Sequence, residues 1–291
     1  MDARAPMTRT ALREPRGPSA RILLVEDNLT NQEVAAGMLR KLGWNADVAS
    51  NGRQALEALA REHYDVVLMD VEMPEMDGHE ATRRIRDPQS GVLDPNIPVI
   101  ALTAHSMAEN AGECFASGMS DYISKPIDGA ILADVVEKWL QRKRHRFPAE
   151  TPVESLTKSA ALPAKPASQP AVFNREAFLQ RMMGDEGFAR EIVGAFLEEL
   201  PALLAALKAG AGQQNLESIG KQAHKIKGSA ANVGGEALRN AALQVETAAR
   251  AGDTAGVAAA IPDLERQSAH FEEALRHWLI PIGCPPGNNL R

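Results

Sequence analysis

The chain has 291 residues, of which 44% are apolar and 24% charged, and its formal net charge is −6. This length predicts two globular domains, and the acidic balance argues against nucleic-acid binding as the main activity. No apolar run approaches the roughly 20 residues that a membrane-spanning helix needs, and the N-terminus lacks the apolar core of a secretory signal. Cys114 and Cys284 are too few for a disulfide framework, so we expect reduced thiols in a cytoplasmic protein.

Residues 1–20 are predicted to form a disordered leader, or the stub of a linker from a longer chain upstream. From residue 21 to 146, short apolar runs alternate with amphipathic stretches of helical spacing. The runs predicted as strands are Ile22–Val25, Ala46–Ala49, Val66–Met69, Val99–Leu102 and Tyr122–Ile123. The helical stretches between and after them are Asn31–Leu42, Gly52–Arg61, Gly78–Arg86, Met107–Ala116 and Asp128–Gln141. Strict alternation of this kind predicts an α/β domain with a doubly wound parallel sheet of five strands, covered on both faces.

The second half of the chain has a proline-rich segment followed by residues of helical spacing. Residues 147–172 hold five prolines among Ala, Ser, Thr and Lys, which predicts a linker. Residues 173–280 are helical throughout and predict a separate all-α domain, and residues 281–291 predict a loose tail. The expected helices are Arg175–Met183, Glu186–Ala209, Leu216–Ala231, Gly235–Ala251 and Thr254–Leu279. Their short connections favour an antiparallel bundle.

Charged and hydroxyl side chains stand where the predicted strands end. Glu26 and Asp27 follow the first strand and Asp70 the third, while Thr103 and Lys125 follow the fourth and fifth. Each alone fits an ordinary cap or surface role, but ligands bind beyond the carboxyl ends of parallel strands, so together they predict a site. Three facing carboxylates need a cation, and hard oxygen ligands suit Mg²⁺. The lysine and the hydroxyl would hold an anion, and Asp70 is a candidate nucleophile for phosphoryl transfer.

With these motifs, Arg21–Gln141 resembles a response-regulator receiver domain. The matching segments are LLVEDN, LMDVEMPEMDG, ALTA and DYISKP. The resemblance implies a flavodoxin-like fold in which Asp70 is phosphorylated from a phosphohistidine, and a cis peptide bond between Lys125 and Pro126. A longer stretch at residues 86–96 departs from the family pattern, but it belongs to the opposite edge of the sheet.

The same resemblance assigns further roles. It implies that Mg²⁺ is held by the phosphoacceptor aspartate, by Asp27 and by the backbone carbonyl of Glu72, with Glu26 acting mostly through water. It also implies that Thr103 and Tyr122 form a switch pair, in which the hydroxyl turns to the phosphoryl group while the ring moves inward.

A histidine stands out in the helical half, in the stretch KQAHKIKGSAANVGG. His224 lies at the polar border of an apolar stripe, with Lys221 and Lys227 three residues away on its own side of the helix. A neutral imidazole is a competent nucleophile near neutral pH, and the lysines would steady phosphoryl oxygens. Gly228 follows one turn later, where a side chain would hinder an approaching partner. A mid-helix glycine costs about 1 kcal/mol relative to alanine, so it needs such a reason.

The segment AHKIKGSAANVG resembles the signature of histidine-phosphotransfer domains, in which lysine and glycine follow the histidine by three and four residues. The resemblance implies a four-helix bundle with a short leading helix and with His224 as a surface phosphoacceptor. It also implies that the bundle has no catalytic power of its own. The docked receiver would supply the metal and the acidic residues.

These features predict a two-component phosphorelay intermediate. The sequence has no glycine-rich ATP-binding pattern of a kinase, so phosphoryl is expected to pass from an upstream sensor histidine kinase to Asp70, to His224 and to a downstream receiver. One alternative is a regulatory scaffold, in which phosphorylation of Asp70 alters contacts of the bundle without relay. A metal-dependent phosphatase would need a second aspartate two residues after the nucleophile, where Glu72 stands.

Overall fold

The computed structural model describes residues 20–103, 107–144 and 173–280, with no side-chain description for 107–111 and 144. The predicted leader apart from Ala20, the predicted linker at 147–172 and the predicted tail at 281–291 lie outside the described residues. The domain boundaries that these segments define therefore stay predictions.

The first domain is an α/β domain of alternating strands and helices. Its strands are β1 (Arg21–Val25), β2 (Asn45–Ala49), β3 (Val66–Asp70), β4 (Val99–Thr103) and β5 (Asp121–Ser124). Its helices are α1 (Leu29–Lys41), α2 (Gly52–Arg61), α3 (Gly78–Arg86), α4 (Met107–Ala116) and α5 (Gly129–Arg144). The strands pair in parallel in the order β2-β1-β3-β4-β5. The predicted doubly wound sheet is confirmed, and helix ends differ from the predicted ones by at most three residues.

The strand order explains where a site can form. The chain leaves β1 for the edge strand β2 and then crosses back to β3, so the connections after β1 and β3 diverge and open a crevice. Every residue of β3 and β4 is buried, as expected for central strands covered by helices on both faces. Polar residues at the carboxyl ends of β1 and β3 therefore lie beside this crevice.

The second domain contains the short helix α6 (Arg175–Arg181) and the long helices α7 (Glu186–Gly212), α8 (Leu216–Val233), α9 (Glu236–Arg250) and α10 (Thr254–Leu279). Helix α7 contacts α8 and α10, and α9 contacts the same two helices, so the long helices close into a four-helix bundle. Asn215 and Asp253 cap the N-termini of α8 and α10 through their side chains. The predicted bundle is confirmed.

The two domains pack against each other through α1, which contacts α7 and α8. The ring of Phe188 lies directly over Gly37, so close that a Cβ on Gly37 would stand 2.1 Å from Phe188 Cε2. Lys41 forms an ion pair with Asp185 at the edge of this contact. Buried apolar residues form one continuous cluster from the sheet of the first domain into the bundle. The sequence predicted two domains, but it did not predict this packing.

Candidate phosphotransfer site

Three carboxylates meet at the carboxyl ends of β1 and β3. Glu26 and Asp27 follow β1, and Asp70 is the last residue of β3. One oxygen from each side chain lies within 4.8 Å of the others. Only 1% of Glu26 and 3% of Asp70 is exposed, so these acids are largely removed from water. The structure thus brings together the acids that the sequence placed at separate strand ends.

Lys125 offsets part of this charge. Its Nζ lies 2.6 Å from Glu26 Oε2 and 2.7 Å from Asp70 Oδ2, and the peptide bond to Pro126 is cis, as expected. Burial raises the pKa of Asp70, and the nearby Glu26 raises it further against the opposing effect of the lysine. Burial lowers the pKa of Lys125, but Asp70 and Glu26 outweigh it and raise that pKa above its ordinary value. The cluster therefore has more negative charge than one lysine can balance.

The predicted switch residues lie beside this cluster on neighbouring strands. Thr103 ends β4 and is buried. Tyr122 belongs to β5, pairs with Ala101 of β4 in the sheet register and packs its ring edge-on against Phe115, with 6.3 Å between ring centroids. Burial raises the pKa of Tyr122. The ring is partly exposed, which leaves its assigned inward movement a prediction.

His224 lies on α8 at the boundary between the two domains. Its Nδ1 lies 2.9 Å from Glu72 Oε2 of the receiver and 2.9 Å from Glu246 Oε1 of α9. Burial lowers the pKa of His224, but the hydrogen bonds to Glu246 and Glu72 outweigh burial and raise it to about 9. The histidine is 18% exposed, so it is neither sealed inside the bundle nor fully in water. Glu72 follows Asp70 by two residues and donates its N–H to Asp70 Oδ1, so the histidine contacts the loop that directly follows the phosphoacceptor candidate.

The neighbours of His224 on its own helix differ in what they contact. Lys227 forms an ion pair with Glu246, at 2.7 Å between Nζ and Oε2. Lys221 instead pairs with the exposed Glu217 on its own helix. Gly228 faces the receiver, since a Cβ there would stand 3.3 Å from Asn31 Nδ2. Gly228 therefore lies at the contact between the two domains, and the proposed roles of Gly228 and Lys221 toward a phosphoryl group stay predictions.

Two carboxylates at His224 were missed in the sequence. Glu246 is 2% exposed and also lies 2.7 Å from Arg250 Nη2. The sequence does contain a signal for burial of Glu246. This residue stands four residues after Ala242 and three before Ala249, on the buried stripe of its helix. For Glu72 the sequence predicts a role for the backbone carbonyl only. Its side chain turns to the bundle, although its N–H donates to Asp70 Oδ1 at 3.2 Å.

Polar contacts also hold α1 against the bundle. Asn28 Nδ2 donates to Ser229 Oγ at 2.7 Å, and Asn232 Nδ2 donates to Asn31 Oδ1 at 2.7 Å. All four residues are buried, and an unpaired polar group there would cost about 1–3 kcal/mol. These pairs therefore favour one docked orientation over others.

A carboxylate from the bundle caps the first turn of α1. Glu199 accepts hydrogen bonds from the N–H groups of Leu29 and Thr30 at 3.1 and 3.2 Å, and from Thr30 Oγ1 at 2.6 Å. The first turn of α1 has no acidic residue of its own. A negative charge at a helix N-terminus is stabilising, so the bundle adds a charged partner to a helix start that the first domain caps only with the neutral Asn28.

Comparisons with known proteins agree with this architecture. Residues 22–137 match the family model described as response regulator receiver domain, and residues 191–278 match the Hpt domain model. Residues 22–137 thus match the receiver family and residues 191–278 the histidine-phosphotransfer family, so a receiver domain is followed by a histidine-phosphotransfer domain. This combination indicates a phosphorelay in two-component signalling.

Several relatives contain both regions. The chain is 30% identical to Sensor protein GacS of Pseudomonas syringae over 88% of the chain and 26% of the relative. It is 31% identical to Virulence sensor protein BvgS of Bordetella bronchiseptica over 90% of the chain and 21% of the relative. The chain therefore spans about a quarter of the length of these relatives.

A solved receiver domain is also similar. It belongs to sensor histidine kinase PA1611 from Pseudomonas aeruginosa PAO1 and is described with a magnesium ion in its active-site cleft. It is 40% identical, covers 43% of this chain and 99% of its own, and aligns with a TM-score of 0.39.

Among the helices of the described residues, none has the length and apolar character required to cross a bilayer.

Proposed function

We propose that the chain is a phosphorelay intermediate in which Asp70 and His224 exchange one phosphoryl group. Asp70 receives it from a phosphohistidine of a sensor histidine kinase, and His224 exchanges it with the aspartate of another receiver. The observation that carries this proposal is the contact between His224 and Glu72, which holds the imidazole beside the cluster that contains Asp70. We expect the reaction to take place in the cytoplasm.

Mg²⁺ fits the acidic cluster. Glu26, Asp27 and Asp70 offer three oxygen ligands within 4.8 Å of one another, and Lys125 leaves part of their charge unbalanced. Oxygen donors with several open positions are the kind of site that Mg²⁺ occupies beside phosphate. We propose that Asp27, Asp70 and the backbone carbonyl of Glu72 hold the ion, with Glu26 mostly acting through water. When bound, the ion neutralises charge on the phosphoryl oxygens.

The first transfer needs an oxygen nucleophile held in place. An Asp70 carboxylate oxygen attacks phosphorus, the P–N bond of the donor phosphohistidine breaks, and the released imidazole nitrogen takes up a proton. Lys125, paired with Asp70 at 2.7 Å, is placed to stabilise the phosphoryl oxygens. Thr103, at the end of β4, is our candidate for a hydroxyl donor to the same group. Positioning and charge neutralisation supply most of the catalysis in such reactions.

The second transfer needs a defined ring nitrogen on His224. Both Glu246 and Glu72 accept at Nδ1, so Nδ1 keeps its proton and Nε2 is the nitrogen that attacks phosphorus after losing its own proton. The new P–N bond forms as the bond between phosphorus and the Asp70 oxygen breaks. We propose that Lys227 supports the phosphohistidine, with Lys221 more distant from it and Gly228 leaving room for the approaching receiver.

Radiolabel transfer tests the relay. The full chain is incubated with a labelled donor kinase, alongside Asp70→Asn and His224→Gln variants. We expect label on Asp70 and His224 in the wild type, on Asp70 alone in His224→Gln, and on neither residue in Asp70→Asn. Label on His224 in the Asp70→Asn chain would show direct transfer from the kinase and would overturn the proposed order.

We propose that the transfer takes place within one chain, supported by the packing of α1 against α7 and α8. A mixture of Asp70→Asn and His224→Gln chains tests this, because each mutant supplies the group that the other lacks. We expect no labelled His224 in the mixture. Efficient labelling of the Asp70→Asn chain in the mixture would show transfer between chains.

The regulatory scaffold is the second candidate, favoured by the docking contacts themselves, which form without a phosphoryl group. In that case Asp70 is phosphorylated and the contacts of the bundle change, but His224 stays unmodified. The stability of the protein-bound phosphate toward acid and base distinguishes the relay from the scaffold. Acid-labile, base-stable label marks phosphohistidine and supports the relay, whereas its absence supports the scaffold.

A further inference from the structure

A lysine from the bundle enters the acidic cluster of the receiver. Lys225 directly follows His224 on α8, and its Nζ lies 2.9 Å from Asp27 Oδ2. The same ammonium donates to the backbone carbonyl of Asp27 at 3.1 Å. Only 22% of Lys225 and 8% of the Asp27 side chain are exposed. This is an ion pair between domains, made by a carboxylate that also belongs to the proposed metal site.

The ammonium groups of Lys125 and Lys225 contact different carboxylates of the cluster. Lys125 contacts Glu26 and Asp70, whereas the carboxylate of Asp27 faces Lys225. A divalent cation at the cluster would bind the same Asp27 carboxylate whose Oδ2 Lys225 contacts, and two cations beside one carboxylate repel one another in a site with little exposure to solvent. Lys225 and a metal ion are therefore alternative partners of Asp27.

We propose that Lys225 competes with the divalent cation for Asp27, so that docking of the bundle and binding of the metal oppose each other in the unphosphorylated chain. Coupling between two binding events is reciprocal. The docked bundle weakens metal binding, and the metal weakens docking.

This inference rests on the proposed metal site but not on phosphoryl transfer, so binding measurements on the unphosphorylated chain test it separately. Mg²⁺ affinity of the full chain is measured by isothermal titration calorimetry. Lys225→Met keeps the aliphatic stem and removes the charge, and Lys225→Gln is a second neutral variant. Lys208→Met is the matched control, since Lys208 pairs with the exposed Glu265 of the same bundle. Circular dichroism verifies that each variant is folded.

Lys225→Met and Lys225→Gln should bind Mg²⁺ at least about fivefold more tightly than the wild type, at the lower end of typical coupling between sites. Lys208→Met should stay within about twofold. Equal or weaker binding by both neutral Lys225 variants would overturn the proposal, as would an equal gain in Lys208→Met, which would indicate a general effect of net charge.

A second measurement tests the reciprocal effect. A carbodiimide joins Lys41 to Asp185 only while the two domains are docked, and mass spectrometry quantifies the linked peptide. Mg²⁺ should lower the yield in the wild type more than KCl of equal ionic strength does. The loss should be smaller in Lys225→Met. An Mg²⁺ effect no larger than that of KCl would contradict the proposed competition.

Discussion

The contact between Phe188 and Gly37 allows a sharp prediction about docking. A Cβ at Gly37 would stand 2.1 Å from Cε2 and 2.5 Å from Cζ of the Phe188 ring, far inside normal contact distance. Because Phe188 is only 6% exposed, its ring has little space to move. Overpacking of this kind costs about 1–3 kcal/mol. Gly37→Ala should therefore weaken docking by roughly 5- to 150-fold, at 1.4 kcal/mol per factor of ten.

The same substitution should act in the opposite direction on the receiver alone. Gly37 lies inside α1, and alanine is favoured over glycine in a helix interior by about 1 kcal/mol. The receiver should thus be slightly stabilised while docking is lost. The carbodiimide link between Lys41 and Asp185 reports docking, and chemical denaturation reports stability. Gly194→Ala is the control, because Gly194 lies inside α7 with nothing within 4 Å of its missing Cβ.

A double mutant distinguishes steric overlap from other causes. Phe188→Ala removes the ring and should weaken docking on its own, since the ring packs on α1. Adding Gly37→Ala to Phe188→Ala should then cost little more, because the overlapping atoms are gone. If Gly37→Ala docks like the wild type, or if the two effects simply add, the close contact does not determine the docked geometry.

Further predictions concern the carboxylates and the metal. Glu199→Gln should weaken docking by about 1–2 kcal/mol, because a charged cap on α1 is lost, while the exposed Glu198→Gln should leave the cross-link yield unchanged. Glu246→Ala should lower the free energy of unfolding of the bundle by roughly 3 kcal/mol in urea, because a buried ion pair loses one partner; a loss below about 1 kcal/mol would contradict this. EDTA should abolish labelling of Asp70 by a donor kinase, and excess Mg²⁺ should restore it; labelling that persists in EDTA would refute the metal requirement.

The fold and the receiver half of the site could be predicted because their signals are local. A run of four apolar residues that ends on Asp70 reports a buried strand and its terminus within one short stretch, and the same holds for Glu26 before α1. Parallel pairing then brings the strand ends together whatever the loops contain. His224 was found in a similar way, from its place on an amphipathic helix and from the nearby Gly228.

The surroundings of the histidine were not available from the sequence. Glu72 and Arg250 form an ion pair across 178 residues of chain, and no periodicity relates two such distant positions. In the sequence, nothing distinguishes Lys225 from other helix lysines, and its contact with Asp27 is seen only in the docked structure. The spacing of apolar residues predicts the buried face of each helix or strand, because the 3.6-residue and two-residue periods are properties of a single element. It therefore predicts each domain separately. Which faces then meet depends on shape and on polar groups that find partners across the contact, and only the tertiary structure decided that.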